Sequence, residues 1–222
     1  MKNWMQQLLM GGGAAVDWWR SGGISSANAI AAYQPKGAAS LAASYTNLAN
    51  PGTYNAAPGT APTWSVGAGW IFNGSTQYLT TGIVPGAGWS LLARFSNGGV
   101  DATLMGSYNS SNANSLCMII PGAVGGTKRQ YRNGTATGLS ISGGQTGGVM
   151  GFAAQTAYLN GSAETGTISG SLAGAIALFI GARNNLTGAN TFFPGNIQAV
   201  AIYNSTLTGP QMAAVSSAMA AL

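Results

Sequence analysis

The chain has 222 residues, 46% of them hydrophobic, which allows one large domain or two small ones around a real core. Only 5% are charged, against about 25% in an ordinary globular protein, and eight basic residues outnumber three acidic ones for a net charge of +5. With no histidine and one cysteine, a single chain can build neither a zinc finger, a Cys–His nucleophile, a Ser–His–Asp triad nor an intrachain disulfide.

At the N-terminus Asn3 is placed to cap a short helix carrying Trp4, Met5, Leu8 and Leu9 on one face, stopped by Gly11, Gly12 and Gly13. Lys2 before these apolar residues is superficially like an export signal. Gln6, Gln7 and the glycines break that run, however, and no cleavage site follows, so synthesis in a cytoplasm without a signal peptide is expected. No stretch reaches the roughly 18 continuous apolar residues of a spanning helix, so no membrane span is expected. A helix this short needs a packing partner. That partner is either its own domain or a neighbouring subunit, and Trp18 and Trp19 extend the same surface. Residues 1–22 are therefore read as a docking arm, with Trp4, Met5, Leu8, Leu9, Trp18 and Trp19 as its contacts.

Residues 23–60 are rich in alanine. Ser25 is placed to cap a helical stretch over 27–33 that Pro35 ends, and the region reads as a short helix and loop leading into the main domain.

From residue 61 onward short apolar runs alternate with Gly, Asn and Ser clusters. Strands are predicted at 64–66, 70–72, 78–80, 89–95, 102–108, 116–120, 128–132, 148–153, 156–159, 175–182 and 195–203. Asn133-Gly134 and Asn160-Gly161 have the composition of tight hairpin turns. Cys117 sits among Leu116, Met118, Ile119 and Ile120, which predicts a buried, inert thiol. Lys128, Arg129 and Arg132 are the one basic cluster, too small a footprint for nucleic acid. After Thr208, the spacing of Met212, Val215, Met219 and Leu222, with Pro210 in the first turn, predicts an amphipathic helix that covers the edge or end of a sheet. There is no internal repeat. The chain is expected to be all-β: a two-sheet antiparallel sandwich over 61–222, with a short helical arm before it and a helix after it.

Three stretches carry a family resemblance: Gly69-Trp70-Ile71-Phe72-Asn73-Gly74 with Gln77-Tyr78-Leu79, then Ala157-Tyr158-Leu159-Asn160-Gly161, then Phe193-Pro194-Gly195-Asn196-Ile197-Gln198-Ala199-Val200-Ala201-Ile202-Tyr203-Asn204. Together they resemble the laminin G-like, concanavalin A-like lectin/glucanase jelly roll. The resemblance implies the fold; it implies little about function, because that fold hosts lectins, hydrolases and scaffolds. The family's late strand commonly carries an Asp-Glu pair where this chain has Gln198 and Ala199, and the glucanase Glu-x-Asp-x-x-Glu strand is absent. Asp17, Asp101 and Glu164 are scattered in sequence, which argues against a carboxylate-rich calcium site and against a pair of catalytic carboxylates. No catalytic residue, metal or cofactor is expected.

Two function classes follow. The first is a structural protein of a virus particle: a phage capsid decoration protein, head fibre or tail-fibre component on the virion exterior, contacting other virion proteins and its own copies. Its supports are the neutral Gly- and Asn-rich composition, the apolar ends, and a similarity of Tyr33-Gln34-Pro35-Lys36-Gly37-Ala38-Ala39 plus jelly roll to phage proteins of this kind. The second is a carbohydrate-binding module or adhesin, with Tyr108, Asn109, Tyr131, Arg132, Arg183 and Asn184 as candidates for contacting cell-surface glycans. Arg183-Asn184 stands out because a charged residue ending an apolar strand is rare in so uncharged a chain.

Overall fold

The computed structural model describes residues 17–222, so Trp4, Met5, Leu8 and Leu9 of the expected arm lie outside the described residues. In chain order the elements are β1 (Ala29–Tyr33), α1 (Leu41–Ser44), β2 (Ala57–Thr60), β3 (Thr63–Ser65), β4 (Gly69–Asn73), β5 (Tyr78–Thr80), β6 (Ser90–Ser96), β7 (Met105–Ser107) and β8 (Leu116–Ala123). There follow β9 (Lys128–Gly134), β10 (Leu139–Ser142), β11 (Gly148–Ala153), β12 (Thr156–Leu159), β13 (Ser162–Ala163), β14 (Phe179–Ile180), β15 (Arg183–Asn184), β16 (Ala189–Asn190), β17 (Pro194–Tyr203) and α2 (Gly209–Ala221).

The strands form the expected two-sheet antiparallel sandwich. Sheet A runs β13-β12-β11-β6-β17-β4-β3, with β1 also on β17; sheet B runs β10-β9-β8-β7-β14-β5-β2, with β15 on β7 and β16 on β15. The pairing of β15 with β7 is parallel. Period-two alternation builds the core between the sheets. Leu91, Ala93 and Phe95 of β6 point inward to meet Ile119 and Tyr131 of sheet B, while Leu92 turns to the outer face. A bulge on β17 between Ile197 and Ala199 shifts its phase by one residue. Ile197, Val200 and Ile202 then face the core, and Ala199, Ala201 and Tyr203 face outward.

The outer face of sheet A is a second core. Met212, Val215 and Met219 of α2 cover it together with Trp18 and Ile24. The helix therefore lies across a sheet face rather than on an edge or end. It begins with a capping box, in which the Thr208 hydroxyl accepts from Gln211 N and the Gln211 side chain accepts from Thr208 N. At its far end Arg94 Nη1 donates to Met219 O at 2.6 Å and Lys36 Nζ to Leu222 O at 2.6 Å, placing cations on the last carbonyls.

Three sequence expectations are corrected. The helix expected over 27–33 is one 3-10 turn, Ser26–Asn28, whose Ala27 N donates to Ser25 Oγ, followed by a strand. Alanine's helix propensity loses to pairing with β17, Ala31 opposite Ile202 and Tyr33 opposite Val200. The buried Asn47 side chain secures this strand by accepting from Ala32 N and donating to Ile30 O. Residues 29–33 thus belong to the sandwich rather than to a lead-in. Asn133-Gly134 is not a turn either: it ends β9, and Asn133 is fully buried, donating to Ala87 O and Ala154 O. Asn160-Gly161 does turn β12 into β13, with φ of 49° and 83° as a type I′ turn requires.

Candidate functional site

Trp18 does not present a docking surface. It is 5% exposed in the second core, its Nε1 donates to Gln34 Oε1 at 2.9 Å, and its ring meets that of Trp19 edge-on. Trp19 is half-buried, and its carbonyl accepts from Tyr203 Oη at 2.8 Å. These two tryptophans pin the start of the described chain onto its own sheet A.

The outer face of sheet B is different, because α2 packs on the opposite sheet. One register row crosses it: Arg132 on β9, Met118 on β8, Gly106 on β7, Phe179 on β14 and Thr80 on β5. Four strand spacings of about 4.8 Å make this row roughly 19 Å long. Arg183 of β15 also pairs with Gly106. The middle of the row is closely covered: Gly106 is buried, Met118 is 2% exposed, and a Cβ on Gly106 would lie 2.8 Å from Met118 Cγ and 2.9 Å from Thr103 Cγ2. Gly138, beside Arg132, likewise has no room for a side chain, since its Cβ would meet Arg132 Cγ at 2.8 Å.

At one end of this face the half-exposed rings of Tyr78 and Phe179 stack with centroids 4.8 Å apart, and Phe192 lies 6.2 Å from Tyr78. The neighbouring Phe193 faces the core and packs edge-on against Phe95. Opposite the centre of the row the Arg183 guanidinium lies over the Tyr108 ring, 5.6 Å from its centroid, and Arg183 Nε donates to Asn190 Oδ1 at 2.9 Å. Arg132 Nη2 donates to Gln130 Oε1 at 2.9 Å; its Nε is buried and has no partner among the described residues. Burial lowers the pKa of both arginines, and the charge of Arg183 lowers that of Arg132 further.

The six expected glycan contacts therefore separate. Tyr108, Arg132 and Arg183 share the outer face of sheet B. Tyr131 does not: it is fully buried on the opposite side of β9, its hydroxyl donating to Tyr158 O at 3.2 Å, so it offers no ring to a ligand. One position of strand alternation separates it from Arg132. Asn109 and Asn184 lie beside the face but serve the backbone. Asn109 Oδ1 accepts from Ser111 N and its amide donates to Gly174 O; Asn184 Nδ2 donates to Ala177 O. Sequence reasoning missed Tyr78, Phe179, Phe192 and Gln130. Gln130 was reachable by period two from Arg132; for Phe192 against Phe193, no local signal says which of two adjacent rings points outward.

A separate cleft of about 290 Å³ is lined by Gln34, Gly37, Ala38, Ala39, Ala43, Ser44, Thr46 and Leu48, with no charged side chain and no aromatic ring. Among the described residues no three His, Cys, Asp or Glu side chains gather as a metal site would require, and no helix is long and apolar enough to cross a membrane.

The sequence matches no protein-family model and no curated protein. Solved structures share the fold. Domain 4 of AbnA, a GH43 extracellular arabinanase from Geobacillus stearothermophilus solved in complex with arabinotriose, is 17% identical with a TM-score of 0.62, over 86% of this chain and 100% of that domain. A mutant of Trypanosoma rangeli sialidase displaying trans-sialidase activity is 16% identical with a TM-score of 0.57, over 88% of this chain and 34% of that one. The binding domain of botulinum neurotoxin serotype D is 12% identical with a TM-score of 0.54, over 86% of this chain and 51% of that one. This chain thus spans the whole arabinanase domain but about a third of the sialidase and half of the toxin domain. The likeness is one of fold: a two-sheet β-sandwich.

Proposed function

We propose that this chain is a non-enzymatic, lectin-like module that binds saccharide across the outer face of sheet B. The observation that carries the reading is the combination on one sheet face of half-exposed stacked rings, Tyr78 and Phe179, with the Arg183–Tyr108 pair. Aromatic faces take the C–H side of a pyranose or furanose ring, and the guanidinium and amide groups of Arg183, Arg132 and Gln130 meet its hydroxyls. The arabinotriose complex of the arabinanase domain supports the same reading, since this chain covers that domain in full. Against chemistry, each carboxylate is already engaged: Asp17 by Arg20, Asp101 by Gly125 N and Glu164 by Arg129.

The setting we propose for this module is the exterior of a virus particle, beside other virion proteins and copies of itself; the resemblance to phage proteins supports it. Quantitative mass spectrometry of purified particles tests the setting through copies per major capsid protein, and absence from every particle would remove it.

A saccharide array that includes arabinotriose, followed by calorimetry on any hit, tests the binding function. The expected result is binding that Phe179→Ala weakens about tenfold, equivalent to ~1.4 kcal/mol. A hit unaffected by Phe179→Ala and by Arg183→Met would move the site elsewhere, and no hit at all would end the saccharide reading.

A further inference from the structure

This inference rests on the saccharide reading of sheet B and names its ligand class. We infer that the saccharide bound there is acidic, carrying a carboxylate or sulfate that sits between Arg132 and Arg183. The chain has three acidic residues, and all three lie with other partners. Arg132 and Arg183 flank the same stretch of one register row, separated by the buried Met118 and Gly106, and neither has a carboxylate opposite it. A guanidinium offers five donors. Arg183 places Nε on Asn190 and Arg132 places Nη2 on Gln130, while Arg132 Nε stays buried without a partner among the described residues.

Two half-buried cations on one face, with no counter-ion, are costly in a chain where 5% of residues are charged. Burial weakens the charged form of both, and the charge of Arg183 weakens that of Arg132 further. An anion at this place relieves both costs and receives charge-assisted hydrogen bonds about twice as strong as those to a neutral hydroxyl. A neutral sugar leaves the repulsion as it was.

The test is calorimetry on the full chain with paired probes: trigalacturonate against its methyl ester, a sulfated chondroitin oligosaccharide against its desulfated form, and inorganic sulfate alone. The acidic member of at least one pair is expected to bind tenfold or more tighter than its neutral counterpart. High salt should weaken that preference. Arg132→Met should abolish it and Arg132→Lys keep part of it, with thermal midpoints confirming that both variants fold. The carboxylate and sulfate pairs distinguish the two sources of charge. Equal binding of acidic and neutral members would overturn this inference and leave the saccharide reading standing. Binding of sulfate alone as tight as that of the sugars would reduce the face to a free-anion site and overturn it. No binding by any probe, together with an array without hits, would overturn both readings.

Discussion

Arg129 and Glu164 join the two sheets through a bidentate ion pair, with Nη2 to Oε2 at 2.7 Å and side chains 11% and 10% exposed. Arg129 Nη1 also donates to Ser142 O and Gly143 O, and Tyr131 Oη to Glu164 Oε1, so the pair anchors β10 and the segment after β13 to β9. Hydrogen bonding to Glu164 is the main cause that raises the pKa of Arg129. Glu164→Ala strands that guanidinium and should cost ~3–5 kcal/mol in urea unfolding, whereas the double replacement Arg129→Met with Glu164→Leu should recover most of the loss. A single variant of wild-type stability would contradict this role.

Alkaline pH should destabilise the fold earlier than carboxylate chemistry would suggest. Burial raises the pKa of Tyr33, Tyr131 and Tyr203 well above the ordinary tyrosine value, and does the same to the Cys117 thiol. In the unfolded chain the thiol ionises near about 8.5 and the phenols near about 10. Above those values the unfolded state sheds protons that the native state keeps. Stability is therefore full below about pH 8.5, falls slightly as Cys117 titrates in the unfolded chain, and falls steeply above about pH 10. Urea midpoints measured across this range check the shape. Cys117→Ala should remove the first decline and leave the second.

The cover over sheet A should be separable from the main core. Thr208→Ala removes the helix cap and should cost about 1 kcal/mol. Met219→Ala, at a fully buried position, should cost ~2–5 kcal/mol. Saccharide affinity should be unchanged in both, because α2 lies on the sheet opposite the proposed site; a matching loss of affinity would show that the two faces are coupled.

The strands were legible wherever β-branched and aromatic residues alternate over several positions, as in β6, β8 and β17. β1 was not, because Ala29-Ile30-Ala31-Ala32-Tyr33 carries a helix preference that only β17 overrides. β10, with Leu139 and Ile141 on the core side, was too short a pattern to separate from loop. For the site, Arg183 was visible as a charge at the end of an apolar strand, and Tyr108 and Arg132 as polar neighbours of strands. The error over Tyr131 was one of parity: adjacent residues leave a strand on opposite faces, and the sequence does not say which face is inside. The Tyr78–Phe179 stack joins residues 101 positions apart, through the β5–β14 pairing, and no local motif could foretell it.

Gly106 should matter more than its lack of a side chain suggests. A Cβ there would lie 2.9 Å from Cys117 O as well as against Met118, and it would stand between the two arginines. Gly106→Ala is expected to destabilise the sandwich, because its Cβ already meets backbone, and Gly106→Val more so. A Gly106→Ala variant with the wild-type urea midpoint would contradict this close packing.

The central claim is that sheet B's outer face holds a saccharide. It is tested most directly by following backbone amides by NMR while an array hit is titrated in. The account predicts shifts concentrated at Tyr78, Tyr108, Arg132, Phe179 and Arg183, with residues 34–48 around the separate cleft unmoved. Shifts confined to that cleft or to α2, with the sheet B row silent at saturation, would contradict it.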